Sequence, residues 1–433
     1  MRKSWLLPLL MAGIVWTGGL SWAAEPVQIT GRDIRGDTKR KITYIRGDVR
    51  IVQGIMVIGA QNATIDMDRK NAILENSVRF QQAEITIAAD YLGYDLHKKT
   101  GTFQRRVRLD YRPTPNRSGK LASEPFNLTC QQLYFEADSK NFSASQEIRV
   151  EHSAFNGSAD RLDYQDKSRE LLFRGRARLN RPAQTRPGQS KEPFQLQSDQ
   201  IALQTQTKNF TATGNAALEQ TEFQGTADRI DYRDNTEELL FQGHVAFGRP
   251  ARNNSSGTTI TNGKEPFQLT SDRLSLASST KNFTTSGGAK LVQNDFVGTA
   301  AQMMYNDNRQ ELTLSGNVQF NRIARKNGSL KEAKNREPFQ LMSNQLVLAV
   351  NSKNFVAAGQ AALDHPDFRG TADQIEYDDL AQRLLMKGHA VLKRPQGETV
   401  QGEQITINLD DKSFIVNNKV NLSFDVKQDD NGK

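Results

Sequence analysis

Residues 192–248 read EPFQLQSDQIALQTQTKNFTATGNAALEQTEFQGTADRIDYRDNTEELLFQGHVAFG, and parts of this stretch return along the chain at fixed spacing. Glu-Pro-Phe begins at residues 124, 192, 265 and 337, and Lys-Asn-Phe begins at residues 140, 208, 281 and 353. A Phe-x-Gly motif recurs with its Gly at 157, 225, 298 and 370, and a second Gly follows at 175, 243, 316 and 388. Repetition with a period of roughly 70 residues predicts a tandem array.

Each long repeat consists of two half-units with the same pattern. In the second one, Ile230 and Tyr232 alternate with polar residues, a polar turn covers residues 233–236, and Leu239 and Phe241 continue the alternation. A period of two on both sides of a short polar turn predicts a β-hairpin with one apolar face. Apolar residues at helical spacing do not extend over three turns anywhere after the first 25 residues, so the chain is predicted to be all-β.

The repeats divide the chain into segments. We expect a signal peptide over residues 1–23, looser β repeats over 24–123, four tandem repeats over 124–394, a β half-repeat over 395–426 and a disordered tail over 427–433. Together these segments contain about twelve half-units, and therefore roughly 24 strands.

The N-terminus has the features of a secretion signal. Arg2 and Lys3 precede the apolar run Trp5–Leu20, and small residues follow, with cleavage expected near Ala23 or Ala24. The run is shorter than the roughly 20 residues that a spanning helix needs, although an uncleaved anchor is the alternative. The signal predicts a periplasmic or secreted protein.

Composition narrows the classes of partner and of site. The net charge of +8 favours acidic partners. Separately, we expect neither a nucleic-acid partner nor a cofactor. The only cysteine, Cys130, occupies the repeat position held elsewhere by Ser198, Ser271 and Ser343, which indicates a small strand residue and not a reactive thiol. Variable loops rich in Pro, Gly and basic residues occur at one phase of each repeat, so we expect them to line one edge of the array, either as a basic rim or as solvated loops. They are Arg112–Glu124, Arg181–Glu192, Arg249–Glu265 and Asn321–Glu337.

Two architectures fit the alternation. One is an elongated antiparallel jelly roll with an open trough between two sheets, and the other is a parallel β-solenoid filled by its own side chains. Short turns favour the antiparallel arrangement, because parallel neighbours usually need long crossovers.

The apolar face of the strands forms a continuous row, and it gives the candidate site. These side chains either pack on one another or line an apolar trough for lipid, with room left by the glycines at 175, 243, 316 and 388. The candidates are Leu171, Phe173, Leu179, Ile201, Leu203, Ile230, Tyr232, Leu239, Phe241, Val245, Phe247, Leu274, Leu276, Leu312, Leu314, Phe320, Ile375 and Tyr377.

The pattern Ala-Asp-x-Ile-x-Tyr, turn, Glu-Leu-x-Phe-x-Gly-x-Val-x-Phe resembles the OstA-like, or LptA-like, family of lipopolysaccharide-transport proteins. It occurs at residues 227–247 and again at 159–179, 300–320 and 372–392. The resemblance implies a V-shaped antiparallel jelly roll that holds the lipid A acyl chains of lipopolysaccharide and bridges the inner and outer membranes. It also implies inner- and outer-membrane partners with the same fold, and head-to-tail self-association. The chain is about twice as long as a usual member.

Other functions are less well supported by the residues. A structural β-solenoid, such as a scaffold or surface protein without ligand, is the main alternative. His244 and His389 share one repeat phase at an expected outward position, which disfavours a metal site. Recurring aspartates at 160, 199, 228, 272 and 373 are better explained by architecture than by hydrolysis, which needs a single opposed carboxylate pair. We therefore expect no enzymatic activity.

Overall fold

The computed structural model describes residues 26–114, 124–186, 189–250, 252–253, 259–260, 265–293, 296–323 and 337–424. The expected signal peptide, the whole expected tail, most of the loops Arg112–Glu124, Arg249–Glu265 and Asn321–Glu337, and residues 187–188 of the loop Arg181–Glu192 lie outside these ranges. The part of the chain that is described contains strands and turns, and none of its elements is a helix that could cross a membrane.

The described residues form two compact units. The first comprises residues up to Pro182 together with Gln195–Ala212, and the second comprises Ala183–Phe194 and the residues from Thr213 onward. The first unit contains β1 (Val27–Thr30), β2 (Asp33–Asp37), β3 (Ile42–Gln53), β4 (Met56–Asp66), β5 (Asn71–Gln82), β6 (Ile85–Asp95), β7 (Thr100–Tyr111), β8 (Phe126–Glu136), β9 (Phe142–Ser145), β10 (Arg149–His152), β11 (Asn156–Ser158), β12 (Arg161–Gln165), β13 (Glu170–Arg181) and most of β16 (Phe194–Gln204).

The second unit contains the remaining strands, apart from the start of β17. They are β14 (Gln184–Arg186), β15 (Gln189–Lys191), β17 (Phe210–Gln220), β18 (Gln224–Arg233), β19 (Glu238–Arg249), β20 (Arg252–Asn253), β21 (Thr259–Ile260), β22 (Phe267–Ala277), β23 (Asn282–Gln293), β24 (Phe296–Asn306), β25 (Glu311–Arg322), β26 (Phe339–Ala349), β27 (Asn354–His365), β28 (Phe368–Asp378), β29 (Arg383–Lys393), β30 (Thr399–Asn408), β31 (Phe414–Asn417) and β32 (Asn421–Ser423).

The strands pair with their neighbours in sequence, and the registers are antiparallel, as in β3 with β4, β24 with β25 and β28 with β29. Four strands of the long series are interrupted: β1 with β2, β9 with β10, β11 with β12 and β31 with β32 each share one partner strand. Counting each of these once and leaving out the two small loop hairpins β14–β15 and β20–β21, the described residues contain 24 long strands. The all-β antiparallel prediction is confirmed, and the parallel solenoid is wrong.

Every return strand is interrupted near its middle by two neighbouring residues with positive φ. We call this pair the corner. The twelve corners in the described residues are Gly47-Asp48, Asn76-Ser77, Arg105-Arg106, Gln146-Glu147, Gly175-Arg176, Gly214-Asn215, Gly243-His244, Gly287-Gly288, Gly316-Asn317, Gly359-Gln360, Gly388-His389 and Asn418-Lys419. The pairing register shifts at the corner, as where Gln242 opposes Arg273 but Val245 opposes Ser271, and where Ser286 opposes Gln302 but Ala289 opposes Ala300. The corner is therefore a β-bulge that redirects the strand.

The corner folds each strand back over itself. Phe241 and Phe247 lie on the same strand, six residues apart, and would be separated by roughly 20 Å in an extended chain. Their ring centroids are 5.8 Å apart. The hairpin of β18 and β19 therefore has two arms that face each other. The first arm, residues 229–242, contains the hairpin turn, and the second arm, residues 224–226 and 245–249, lies beyond the corner. All half-units share this division, so each strand contributes to both faces of its unit.

Candidate functional site

The candidate site is the interior between the two arms. All 18 apolar side chains predicted to line a trough are buried, with at most 4% of their surface exposed. The structure therefore places them on the predicted inward face. Whether they contact lipid stays a prediction.

The interior is filled by the side chains of both arms. Phe80, on the second arm, lies 5.1 Å from Phe135 on the first. The second-arm ring of Phe247 lies 5.5 Å from Phe283, and that of Phe320 lies 5.6 Å from Phe355 on the first arm. Aromatic rings at such distances are in contact, so the arms touch without an open channel between these rings.

The glycines that leave room in the interior are not those that the sequence indicated. A Cβ on Gly243, which has φ +75°, would meet the carboxylate of Asp228 at the corner and no interior side chain. A Cβ on Gly225, by contrast, would lie 2.7 Å from Cε1 of Phe241. Gly157, Gly298 and Gly370 make the equivalent contacts in the other repeats, with Phe173, Leu314 and Met386. The expectation that residues 175, 243, 316 and 388 make room in the interior was wrong, because these residues form the corners. The room is made by the glycines of the Phe-x-Gly motifs.

The corner carries a row of polar contacts on the outer surface. Asp228 lies 2.8 Å from Nδ1 of His244, and Asp373 lies 2.9 Å from Nδ1 of His389, with both imidazoles about nine-tenths exposed. The carboxylate raises the pKa of His244 above its ordinary value. Asp160 pairs with Arg176 at the same phase. Asp160, Asp228 and Asp373 thus pack on corner glycines and pair with the side chain that follows each glycine, which agrees with an architectural role.

Cys130 lies at the corresponding point of β8 and is buried. Burial raises the pKa of its thiol to about 12. At the same repeat position, the hydroxyl of Ser271 donates a hydrogen bond to the carbonyl of Arg273 at 3.1 Å. The cysteine is therefore a buried strand residue, as its repeat position predicts.

The arms also meet along the edge opposite the corners, which we call the seam. It consists of the last inward residue of each return strand and the tips of the hairpins. Six residues after the first residue of each of the first eleven corners stands a polar or aromatic residue: Gln53, Gln82, Tyr111, His152, Arg181, Gln220, Arg249, Gln293, Arg322, His365 or Arg394. The sequence interpretation missed this row, although its fixed distance from the corner glycines was visible.

Buried hydrogen bonds and ion pairs close the seam. The amide of Gln82 donates to the carbonyl of Ala137 at 3.0 Å. Arg322 lies 2.8 Å from the carboxylate of Asp379, both less than 10% exposed, and it also donates to the hydroxyl of Tyr377. Each contact joins the end of a second arm to a hairpin turn of the first arm. Charges so well buried must be paired, so these contacts fix the distance between the arms.

One group among the described residues could in principle hold a metal ion: Glu337, His365 and Asp367, with ligand atoms within 4.8 Å of one another. The amine of Lys412 lies 2.7 Å from the carboxylate of Asp367 and 3.6 Å from that of Glu337. Burial lowers the pKa of His365. An internal cation therefore already occupies this group, which belongs to the seam.

Comparison with known proteins gives two family matches. The family model described as LptA/(LptD N-terminal domain) LPS transport protein matches residues 28–192 and 336–413. The model described as lipopolysaccharide-assembly, LptC-related, matches residues 251–322. No curated protein matches the chain.

Among solved structures, the chain is similar to LptH, the LptA-homologous periplasmic component of the lipopolysaccharide transport device of Pseudomonas aeruginosa. The identity is 10%, the match covers 39% of this chain and 100% of LptH, and the TM-score is 0.24.

Proposed function

Since this chain belongs to the LptA and LptD N-terminal-domain family of lipopolysaccharide transport proteins, whose model matches more than half of its length, we propose that it binds lipopolysaccharide by its acyl chains between the two arms. The observation that carries the proposal is the row of apolar side chains that both arms direct into one interior. Acyl methylenes moved from water into such an interior are stabilised by about 0.8 kcal/mol each. The protein side chains stay buried, because lipid replaces the contacts that the arms lose to each other.

The proposed setting is the periplasm, where the protein acts as part of a bridge between the two membranes without catalysing a reaction. In the second unit, β31 and β32 pair only with β30 among the described residues. Four apolar side chains here, Ile415, Val420, Leu422 and Phe424, are more than half exposed. An unpaired edge with exposed apolar groups supports docking to a related module or to a second copy.

The test of lipid binding is photocrosslinking to lipopolysaccharide. A photoreactive amino acid replaces Phe241, whose side chain is fully buried between the arms, and in the control protein it replaces Gln242, the next residue along the same strand. Crosslinks at residue 241 and not at residue 242 are expected. Equal yields at both positions, or no crosslink at either in folded protein, would refute binding between the arms.

A second candidate function is a structural spacer of the cell envelope that carries no lipid. The filled interior favours it, because the contact of Phe247 with Phe283 leaves no gap at this point. A spacer would keep its arms closed in the presence of lipopolysaccharide. Unchanged hydrogen exchange of the interior strands on addition of the lipid would support this candidate.

A further inference from the structure

The two sides of the seam carry opposite charges. On the first arm, the hairpin turns end in a residue with positive φ, which is lysine in most repeats, including Lys208, Lys281 and Lys353. Four residues separate the paired strand ends, as between Ala277 and Asn282, and four-residue hairpin loops are most often built around a type I turn. On the second arm, the strands that begin with Glu-Pro-Phe place a glutamate at the tip. One edge of the seam is therefore basic and the other acidic.

Lysine and glutamate meet across the seam at regular intervals. In the first unit Lys208 lies 3.1 Å from Glu124. In the second unit the same relation joins Lys281 to Glu192 at 3.3 Å, Lys353 to Glu265 at 3.3 Å and Lys412 to Glu337 at 3.6 Å. The Lys-Asn-Phe motifs at 208, 281 and 353, and Lys-Ser-Phe at 412, thus supply one half of a contact whose other half is Glu-Pro-Phe, and each of these lysines pairs with the glutamate of an earlier repeat.

The lysines are held tightly while the seam is closed. Lys281 also contacts Glu222, a second acid on the opposite arm, and about a quarter of its side chain is exposed. Burial lowers the pKa of Lys281, but the hydrogen bond to Glu222 and the charge of Glu192 outweigh this and raise it above its ordinary value. In the closed seam the surrounding charge is negative, and an anion is repelled.

Separation of the arms changes the charge around these lysines from negative to positive. The corners are continuous backbone, so the arms can separate only at the seam. Glu192 and Glu222 then leave with the second arm, and Lys281 stays on the first. Equivalent lysines in the second unit are four strands apart, which places them roughly 19 Å from each other along the edge of the first arm. A separated seam exposes a row of cations beside an apolar interior.

We propose that Lys208 in the first unit, and Lys281 and Lys353 in the second unit, each bind a phosphate group of a lipid head group. The inference rests on the proposed function, in which acyl chains part the arms. A lipid held in this way leaves its head group at the seam, where ammonium groups released from carboxylates bind phosphate oxygens through charge-assisted hydrogen bonds. Phosphate and glutamate compete for the same lysines, so the loaded and closed states exclude each other.

The test compares lipopolysaccharide with its dephosphorylated form. The seam variant carries Lys208→Gln, Lys281→Gln and Lys353→Gln. The matched control carries the same change at three lysines on the outer face, Lys290, Lys387 and Lys393. Binding is measured by displacement of a fluorescent lipid. The unmodified protein and the control are expected to prefer the phosphorylated lipid, by about fivefold for each lysine engaged. The seam variant is expected to lose the preference.

Three further measurements complete the test. Replacing the same three lysines by arginine should keep the preference, which separates loss of charge from loss of folding. Inorganic phosphate alone should not bind the closed protein, and binding of free phosphate as tight as that of the lipid would overturn the proposal. A seam variant that keeps the full preference for phosphorylated lipid would show that the lysines only close the seam. If the unmodified protein binds neither lipid, the proposed function fails and this inference fails with it.

Discussion

Replacement of Gly225 by alanine tests directly how tightly the two arms pack. The new Cβ would lie 2.7 Å from Cε1 of Phe241 and 3.1 Å from Cδ2 of Phe247, so both rings must move. Phe241 is fully buried and Phe247 is 4% exposed, which leaves them little space. Overpacking of a filled core costs typically 1–3 kcal/mol. We expect about 2 kcal/mol of destabilisation for Gly225→Ala.

The chain itself supplies the compensating change. In the next repeat the position of Phe241 is held by Leu314, and there the Cβ of an alanine at Gly298 would lie 3.0 Å from the smaller side chain. The double variant Gly225→Ala with Phe241→Leu should therefore recover much of the stability that the single variant loses. Gly36→Ala is the control, because nothing lies within 4 Å of its Cβ position.

The assay is urea unfolding, combined with hydrogen exchange of the strands around Phe241, since a chain built of repeats need not unfold in two states. The single variant should unfold at lower urea and exchange faster in β18 and β19 than in distant strands. A neutral Gly225→Ala variant would show that the arms are not in contact at this point. Failure of Phe241→Leu to compensate would place the clash elsewhere.

Other predictions concern the seam and the terminal edge. Arg322→Met removes the ion pair of the buried Asp379 carboxylate, and should cost about 3–5 kcal/mol in thermal or urea unfolding. Adding Asp379→Asn should recover part of this loss, and a harmless single variant would contradict the importance of the buried ion pair. The pKa of Glu124 is raised by burial but lowered more by Ser153 and Lys208, so its stabilising contribution is present above about pH 4.3, its unfolded value, and is lost as the pH falls through the lower folded value. The raised pKa of Lys281 gives a contribution that is complete below about pH 10.4 and is lost as the pH rises through the higher folded value. The seam should thus be most stable between about pH 4.3 and 10.4. In protein without residues 1–23, which contain Trp5, Trp16 and Trp22, the emission of a tryptophan introduced into the interior should shift to the red outside that window; a flat profile would refute the role of these pairs. Leu422→Asp should weaken self-association or docking at the terminal edge in analytical ultracentrifugation without lowering the melting temperature, because this side chain is 53% exposed.

The repeated motifs were sufficient to predict the strands, because side chains with a period of two fix both the strand and its inward face. Ile230 and Tyr232 were assigned inward and are buried. The number of long strands also followed from the repeats, since each half-unit forms one hairpin. The antiparallel pairing could be inferred from the short turns between apolar runs.

The corner and the seam could not be derived in the same way. Gly243 stands in an alternating stretch, so its period suggested an inward position, whereas the structure uses it and His244 as a bulge with two left-handed residues. Glycine holds the first corner position in eight of the twelve corners, but the second left-handed residue is not glycine in eleven of them, so the sequence did not reveal a two-residue bulge. The contact between Lys281 and Glu192 joins residues 89 positions apart, a distance over which alternation carries no information.

The corner also determines how such a protein can change in length. Because every strand bends through both arms, one hairpin of roughly 30 residues already contains the complete cross-section of its unit, including inner face, corner and seam. Duplication or loss of a hairpin would add or remove a slice without altering the slices on either side, apart from their partners across the seam. Seam partners such as Gln82 and Ala137 are 55 positions apart, so their contact crosses one intervening hairpin. Insertion or deletion of two hairpins at once therefore keeps the hydrogen bonds and ion pairs across the seam, whereas a change of one hairpin places side chains opposite the wrong partners. The roughly 70-residue period of the chain is this pair of hairpins.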